Sequence, residues 1–189
     1  MLKKEQKDEL IKEGTLRLMT LGEIVLAREI FGSSIVYPRV WIHCDSYLPG
    51  GLQKKYVGMS PNGEIYFRKE LYKKDFSAPE ADIRARHVFI HELAHVWQHQ
   101  HGIWVRTRGL FSWAANYTYE LDKNRNLAAY PLEQQAQIIA DYWLLTKYSY
   151  AEWNFQRAYQ RLVTCRGELK GNDAVESYKK VLAEFLRIR

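Results

Sequence analysis

At 189 residues the chain is long enough for one domain, or one domain with helical appendages. A content of 47% hydrophobic and 14% aromatic residues supports a sizeable core and excludes a disordered tail, and no run approaches the roughly 18 apolar residues of a membrane span. The net charge of +6 favours anionic partners, but the basic residues come in scattered pairs (Lys3-Lys4, Lys54-Lys55, Lys73-Lys74, Lys179-Lys180), which argues for an ordinary soluble surface and against a nucleic-acid partner.

The first residues, MLKKEQKDELIKEG, are charged throughout and lack the apolar core of a secretory signal. Residues 1–19 therefore read as an N-terminal extension and 20–189 as a single domain. Export would need a signal-independent route or a larger chain. Thr20-Leu-Gly-Glu23 has capping-box spacing and opens a helix through Phe31 that Gly32 ends. Ser34 to Cys44 is β-rich, with Pro38 marking an edge or a bulge. After a turn at Pro49-Gly50-Gly51, the Asn62-Gly63 dipeptide predicts a turn into a second extended stretch, EIYFRKE. The two cysteines, Cys44 and Cys165, supply neither a thiolate zinc site nor a disulfide framework, and leave open whether they pair.

From about Ala81 to Gln100, Ile83, Ile90, Leu93, Ala94 and Trp97 recur at helical spacing, with Gly102 as the stop. Residues 102–130 are irregular and aromatic, and a loop of that length in a compact domain is usually functional. Pro131 opens a helix through LEQQAQIIADYWLL, and two further helices are expected around 151–164 and 173–187. The sum is an α+β fold, with a small antiparallel sheet packed against a mainly helical half.

The chemistry lies in FIHELAHVWQHQHG. His91-Glu92-Leu93-Ala94-His95 is HExxH, and residues four apart share one helix face, so both imidazoles can reach a single ion. Glu92, beside the first ligand, can contact a water on that ion. This is the arrangement for metal-assisted hydrolysis, with Glu92 as catalytic base. The apolar setting of Ile90, Leu93 and Ala94 makes unpartnered His and Glu costly and so favours a site.

Three third ligands are conceivable. His101 has the metzincin spacing, but Gln98 replaces the helix-breaking glycine, and a continuing helix carries His101 about 15 Å along the axis. No methionine follows the motif, so there is no Met-turn. A downstream histidine, as in DNA-associated SprT-like proteases, fails because all six histidines lie at or before position 101. The remaining choice is a glutamate from a later helix, and Glu133, with small Ala136 three places on, fits that gluzincin solution for one Zn²⁺. Gln137 and Asp141 are candidates to orient a ligand histidine. Tyr117, Tyr119 and Tyr130 are candidates to donate to a developing oxyanion. His87 and His99 extend the histidine stripe as pocket or solvated residues, and His43 is a satisfied core or surface histidine. EIYFRKE is a candidate edge strand for an extended substrate.

The stretches LGEIVLAREIFG, VWIH, GEIYF, DFS at Asp75–Ser77, FIHELAHVWQHQHG and YPLEQQAQIIADYW resemble a bacterial family. It comprises small gluzincin-type zinc metallopeptidase domains found near or fused to Rhs elements and type VI secretion spike proteins of the VgrG kind. The resemblance spans about residues 20 to 145. It implies zinc on His91, His95 and Glu133 with Glu92 as base. It further implies a protein or peptide substrate, a spike partner, a cognate immunity protein, and action as an antibacterial effector in the periplasm of target cells. The competing reading from another class is a zinc-stabilised, non-catalytic adaptor or cargo module.

Overall fold

The computed structural model describes residues 11–103 and 116–189. The first ten residues of the expected extension, and 104–115 of the expected aromatic loop, lie outside the described residues.

Residues Thr15–Leu18, expected within the extension, form strand β1 and pair antiparallel with β2, Trp41–Cys44, in a register that sets Leu16 opposite His43. Strand β3, Ile65–Phe67, lies on the other side of β2 and runs parallel to it, with Ile42 opposite Ile65. The sheet is therefore mixed rather than wholly antiparallel. The Asn62-Gly63 turn gives β3 its antiparallel neighbour at Met59, on the side away from β2: Met59 N donates to Tyr66 O at 3.1 Å and Tyr66 N to Met59 O at 2.8 Å. The β-rich run before β2 is shortened because Pro38, which has no N–H, sits in a 3-10 turn at Tyr37–Arg39.

Helix α1, Leu21–Phe31, begins at the predicted capping box. Glu23 N donates to Thr20 Oγ1 at 3.1 Å and Thr20 N to Glu23 Oε2 at 2.9 Å. Glu23 is fully buried, and its carboxylate also takes both terminal nitrogens of Arg17 at 2.7 Å and Phe76 N at 2.9 Å. One buried carboxylate with every lone pair engaged thus ties β1, α1 and the segment before the next helix.

Helix α2, Ile83–Gln100, is capped by Asp82, and α3, Leu132–Lys147, starts directly after Pro131. The two pack against each other at the centre. Phe89, Ile90, Leu93, Ala94 and Val96 of α2, and Ala136, Ile138, Ile139, Ala140 and Leu144 of α3, are fully buried. Ala94, Ala136 and Ala140 are among these buried residues, and Ala136 is the small residue expected after Glu133.

Helix α4, Tyr150–Ala158, ends earlier than its helical periodicity predicts. Arg161 turns the chain in a left-handed conformation at φ 53°, and Leu162, Val163 and Cys165 are buried as the short strand β5, Cys165–Arg166, pairs with β4, Tyr119–Glu120. The last predicted helix is divided into α5, Gly171–Val181, and α6, Ala183–Ile188. The architecture is α+β, with six α-helices and two small sheets among the described residues. None of these helices is long and apolar enough to cross a membrane. Cys44 and Cys165 are buried free thiols, and burial pushes each pKa up to about 11.

Candidate metal centre

His91 and His95 stand one turn apart on α2 with ring centroids 5.0 Å apart, and Glu133 reaches them from the first turn of α3. Glu133 Oε2 is 3.4 Å from His91 Nε2 and 3.2 Å from His95 Nε2. The potential ligand atoms of all three lie within 4.8 Å of one another, a group able to hold a metal ion. Donors at about 2.0–2.1 Å around a tetrahedral zinc stand about 3.3 Å apart. The two measured nitrogen–oxygen separations match that spacing.

The hydrogen bonds around His95 strengthen the fit. Gln98 is fully buried, and its amide nitrogen donates to Leu132 O and to Gln135 Oε1, both at 3.1 Å. Its amide oxygen must then accept, and it lies 2.8 Å from His95 Nδ1. The proton of His95 therefore sits on Nδ1, which leaves the Nε2 lone pair facing the Glu133 carboxylate. Two acceptors so close repel unless a cation lies between them. Without a metal, a second proton takes that role. Burial pulls the His95 pKa down, but the Glu133 charge overrides it and holds it up at about 9. Burial works to raise the Glu133 pKa, but His95 and His91 hold the carboxyl well below its usual range.

Glu92 is buried beside this group, and burial raises its pKa against the opposing pull of His95, His91 and Ser60. Ser60 Oγ donates to Glu92 Oε2 at 2.7 Å. A Cβ on Gly58 would lie 2.5 Å from Glu92 Oε1, so only glycine lets the backbone pass so close to the carboxylate. The result is a carboxyl group held between a helix and a loop, with its pKa raised by burial.

The three candidate tyrosines separate. The Tyr117 ring tilts over His91 with centroids 5.7 Å apart, and burial together with the charges of Glu133 and Glu92 raises its pKa. Tyr119 is buried with its hydroxyl 2.6 Å from Asp141 Oδ2, and the Tyr130 hydroxyl accepts from Asp122 N and donates to Glu120 O. Tyr117 is the one placed at the cluster.

Gln137 and Asp141 contact neither ligand histidine. Gln137 Nε2 donates to Asp141 Oδ1 and to Leu162 O, and His87 Nε2 lies 2.7 Å from Asp141 Oδ1. His101 is turned onto Trp97, His99 lies against Gly63, and His43 is bonded to Glu64 and stacked on Tyr66, so none of them joins the cluster. The edge of β3 expected to receive a substrate is occupied at Tyr66 by Met59, and among the described residues no strand is paired on the far side of the Gly58–Ser60 segment beside Glu92. A cavity of about 810 Å³ lined by Trp97, Tyr130, Leu132, Phe185 and Ile188 contains none of the ligand candidates.

Gln98, Ser60 and Gly58 are site residues that reading the sequence missed. The interval of three from His95 to Gln98 is legible on a helix, but the partners that fix the amide are not. Nothing local links Gly58 and Ser60 to Glu92.

The sequence matches no protein-family model. It is 40% identical over 135 residues to the type VI secretion system spike protein VgrG2b of Pseudomonas aeruginosa, an alignment covering 68% of this chain and 13% of that protein. The chain thus spans only a small part of the spike protein's length. The solved effector domain of Pseudomonas aeruginosa VgrG2b superposes with a TM-score of 0.62 at 33% identity, covering 85% of this chain and 89% of that domain. At 33% identity over 89% of that domain, with the same fold, this chain belongs to the VgrG2b effector-domain family.

Proposed function

We propose that the protein is a zinc-dependent metallopeptidase of the gluzincin type, acting as a type VI secretion effector. The observation that carries the reading is the convergence of two imidazole Nε2 atoms and one carboxylate oxygen at zinc-like spacing, with Glu92 beside them. His91, His95 and Glu133 would hold the ion. When bound, zinc supplies Lewis acidity that polarises a carbonyl and acidifies water.

The remaining work falls to side chains. Glu92, with its pKa raised by burial, accepts the proton of the attacking water and passes it to the leaving amine. Ser60 holds one carboxylate oxygen so that the other faces the reaction. Tyr117, protonated throughout the neutral range, donates to the oxygen that gains charge as the carbonyl becomes tetrahedral. In an extended segment, successive backbone groups alternate in direction. Those of Met59 pair with Tyr66, so those of Gly58 and Ser60 point away from β3 and offer a surface to an extended peptide. The substrate is accordingly a protein or peptide.

Similarity to the effector domain of a type VI secretion spike supports delivery with a spike partner; action in the periplasm of a target cell, and a cognate immunity protein in the producer, are part of the same proposal. The test is Glu92→Gln, which preserves the Ser60 hydrogen bond and the metal ligands. Periplasmic expression of the wild-type chain is expected to be toxic, and the variant is expected to bind zinc yet lose toxicity and peptide cleavage. Undiminished toxicity in a zinc-loaded Glu92→Gln protein would establish the non-catalytic adaptor reading instead.

A further inference from the structure

Behind the ligands lies a carboxylate with a different task. Asp141 is fully buried and accepts four hydrogen bonds. His87 Nε2 at 2.7 Å and Gln137 Nε2 at 2.9 Å reach Oδ1, and Tyr119 Oη at 2.6 Å and Thr164 N at 3.3 Å reach Oδ2. Because Tyr119 gives its proton to Asp141, Tyr178, 2.5 Å away, is the donor between those two hydroxyls. One side chain of α3 therefore gathers α2, β4, the segment leading into β5 and, through Tyr178, α5.

Three of the four donors are a short, stiff step from the metal centre. His87 precedes His91 by one turn of α2, Gln137 follows Glu133 by one turn of α3, and Tyr119 is two residues from Tyr117. A helical turn transmits a displacement along its axis almost undiminished, at 1.5 Å of rise per residue. Holding His87 and Gln137 on the same oxygen thus holds the height of His91 relative to Glu133. The apolar contacts between α2 and α3 are not directional and tolerate sliding. A buried carboxylate does not, because any slip leaves a charged acceptor unsatisfied.

We infer that Asp141 and His87 are positioning residues that lock the register of α2 against α3, on which the His91–His95–Glu133 geometry depends. The inference rests on the metal reading of that group and adds to it a second, remote determinant of metal affinity.

Zinc itself is the probe. His87→Leu removes the imidazole donor, whereas His87→Gln restores an N–H at the same place. In competition with a chromophoric chelator, the zinc dissociation constant is expected to rise about 10–100-fold in His87→Leu and to stay within about threefold of wild type in His87→Gln. The visible spectrum of the cobalt-substituted protein is expected to change in the leucine variant alone, a change that loss of stability without loss of register does not produce. Tyr119→Phe withdraws a single donor and carries the test should His87→Leu fail to fold; a several-fold weakening is expected. A folded His87→Leu, or in its absence Tyr119→Phe, with the wild-type constant and cobalt spectrum overturns the inference and leaves the metal centre standing. A wild-type protein that takes up no zinc overturns the metal reading, and this inference with it.

Discussion

The amide oxygen of Gln98 lies 2.8 Å from Nδ1 of His95, while the amide nitrogen of the same side chain is bound to the first turn of α3 and to Gln135. Gln98 therefore fixes the tautomer of one candidate ligand and joins it to the helix that carries another. Replacing it by methionine, of similar size, removes both functions. The zinc dissociation constant of Gln98→Met is expected to rise about 10–100-fold in a chelator competition. An unchanged constant would show that His95 is oriented by packing alone.

Gly58→Ala addresses the base rather than the metal. The added Cβ would lie 2.5 Å from Glu92 Oε1, so the carboxylate must move. Misplacing a reacting group by an ångström costs on the order of 10²-fold in rate. The expected result is a fall in kcat of that order with zinc affinity unaltered, because the three atoms nearest the added Cβ all belong to Glu92 and none to the residues proposed to hold the metal. Peptide cleavage kinetics alongside zinc titration check this, and equal losses in both would point to a collapsed loop.

Tyr117→Phe tests the oxyanion donor. Loss of one such donor costs about 10²–10³-fold in kcat. The loss is expected in kcat with little change in KM, since the hydroxyl acts only as charge develops. The same substitution at Tyr130, whose hydroxyl is engaged with Asp122 and Glu120, is expected to leave kcat near wild type.

The metal-free protein is expected to lose stability as pH rises from about 6.5 to about 9. The folded-state pKa of His95 is held at about 9, above the 6.5 of an unfolded chain. Its contribution is thus fully present below pH 6.5 and vanishes as pH climbs through 9, an effect of at most about 3 kcal/mol. Saturating zinc takes the place of that proton and is expected to abolish the slope. Urea unfolding of the metal-free and zinc-loaded forms at pH 6, 7.5 and 9 measures it, and parallel slopes would remove the proton–metal equivalence at His95.

Local rules were enough to pair two of the candidate ligands and to mark the starts of α1 and α3. The HExxH interval puts His91 and His95 on one face of α2 by helical periodicity alone, and the Thr20–Glu23 box and Pro131 mark α1 and α3 because such start signals involve only a few adjacent residues. The Asp82 cap of α2 was not singled out. With no later histidine, elimination left a glutamate from a later helix, and the position of Glu133 at a helix start with Ala136 three places on singled it out. The sheet was less legible. Asn62-Gly63 turns β3 onto Met59 on one side, but nothing in that dipeptide specifies the parallel ladder with β2 on the other.

Sequence by itself thus determined that two imidazoles and a carboxylate share one helix, because those relations depend on a repeat of 3.6 residues along a single backbone. Tertiary structure alone decided what surrounds them: Gly58 and Ser60 against Glu92, Gln98 between His95 and α3, Tyr117 rather than Tyr119 or Tyr130 at the cluster, and Asp141 bonded to His87 instead of to a ligand. These contacts join residues tens of positions apart, and their partners are chosen by which buried polar groups the packed helices leave to be satisfied. No local periodicity encodes that choice.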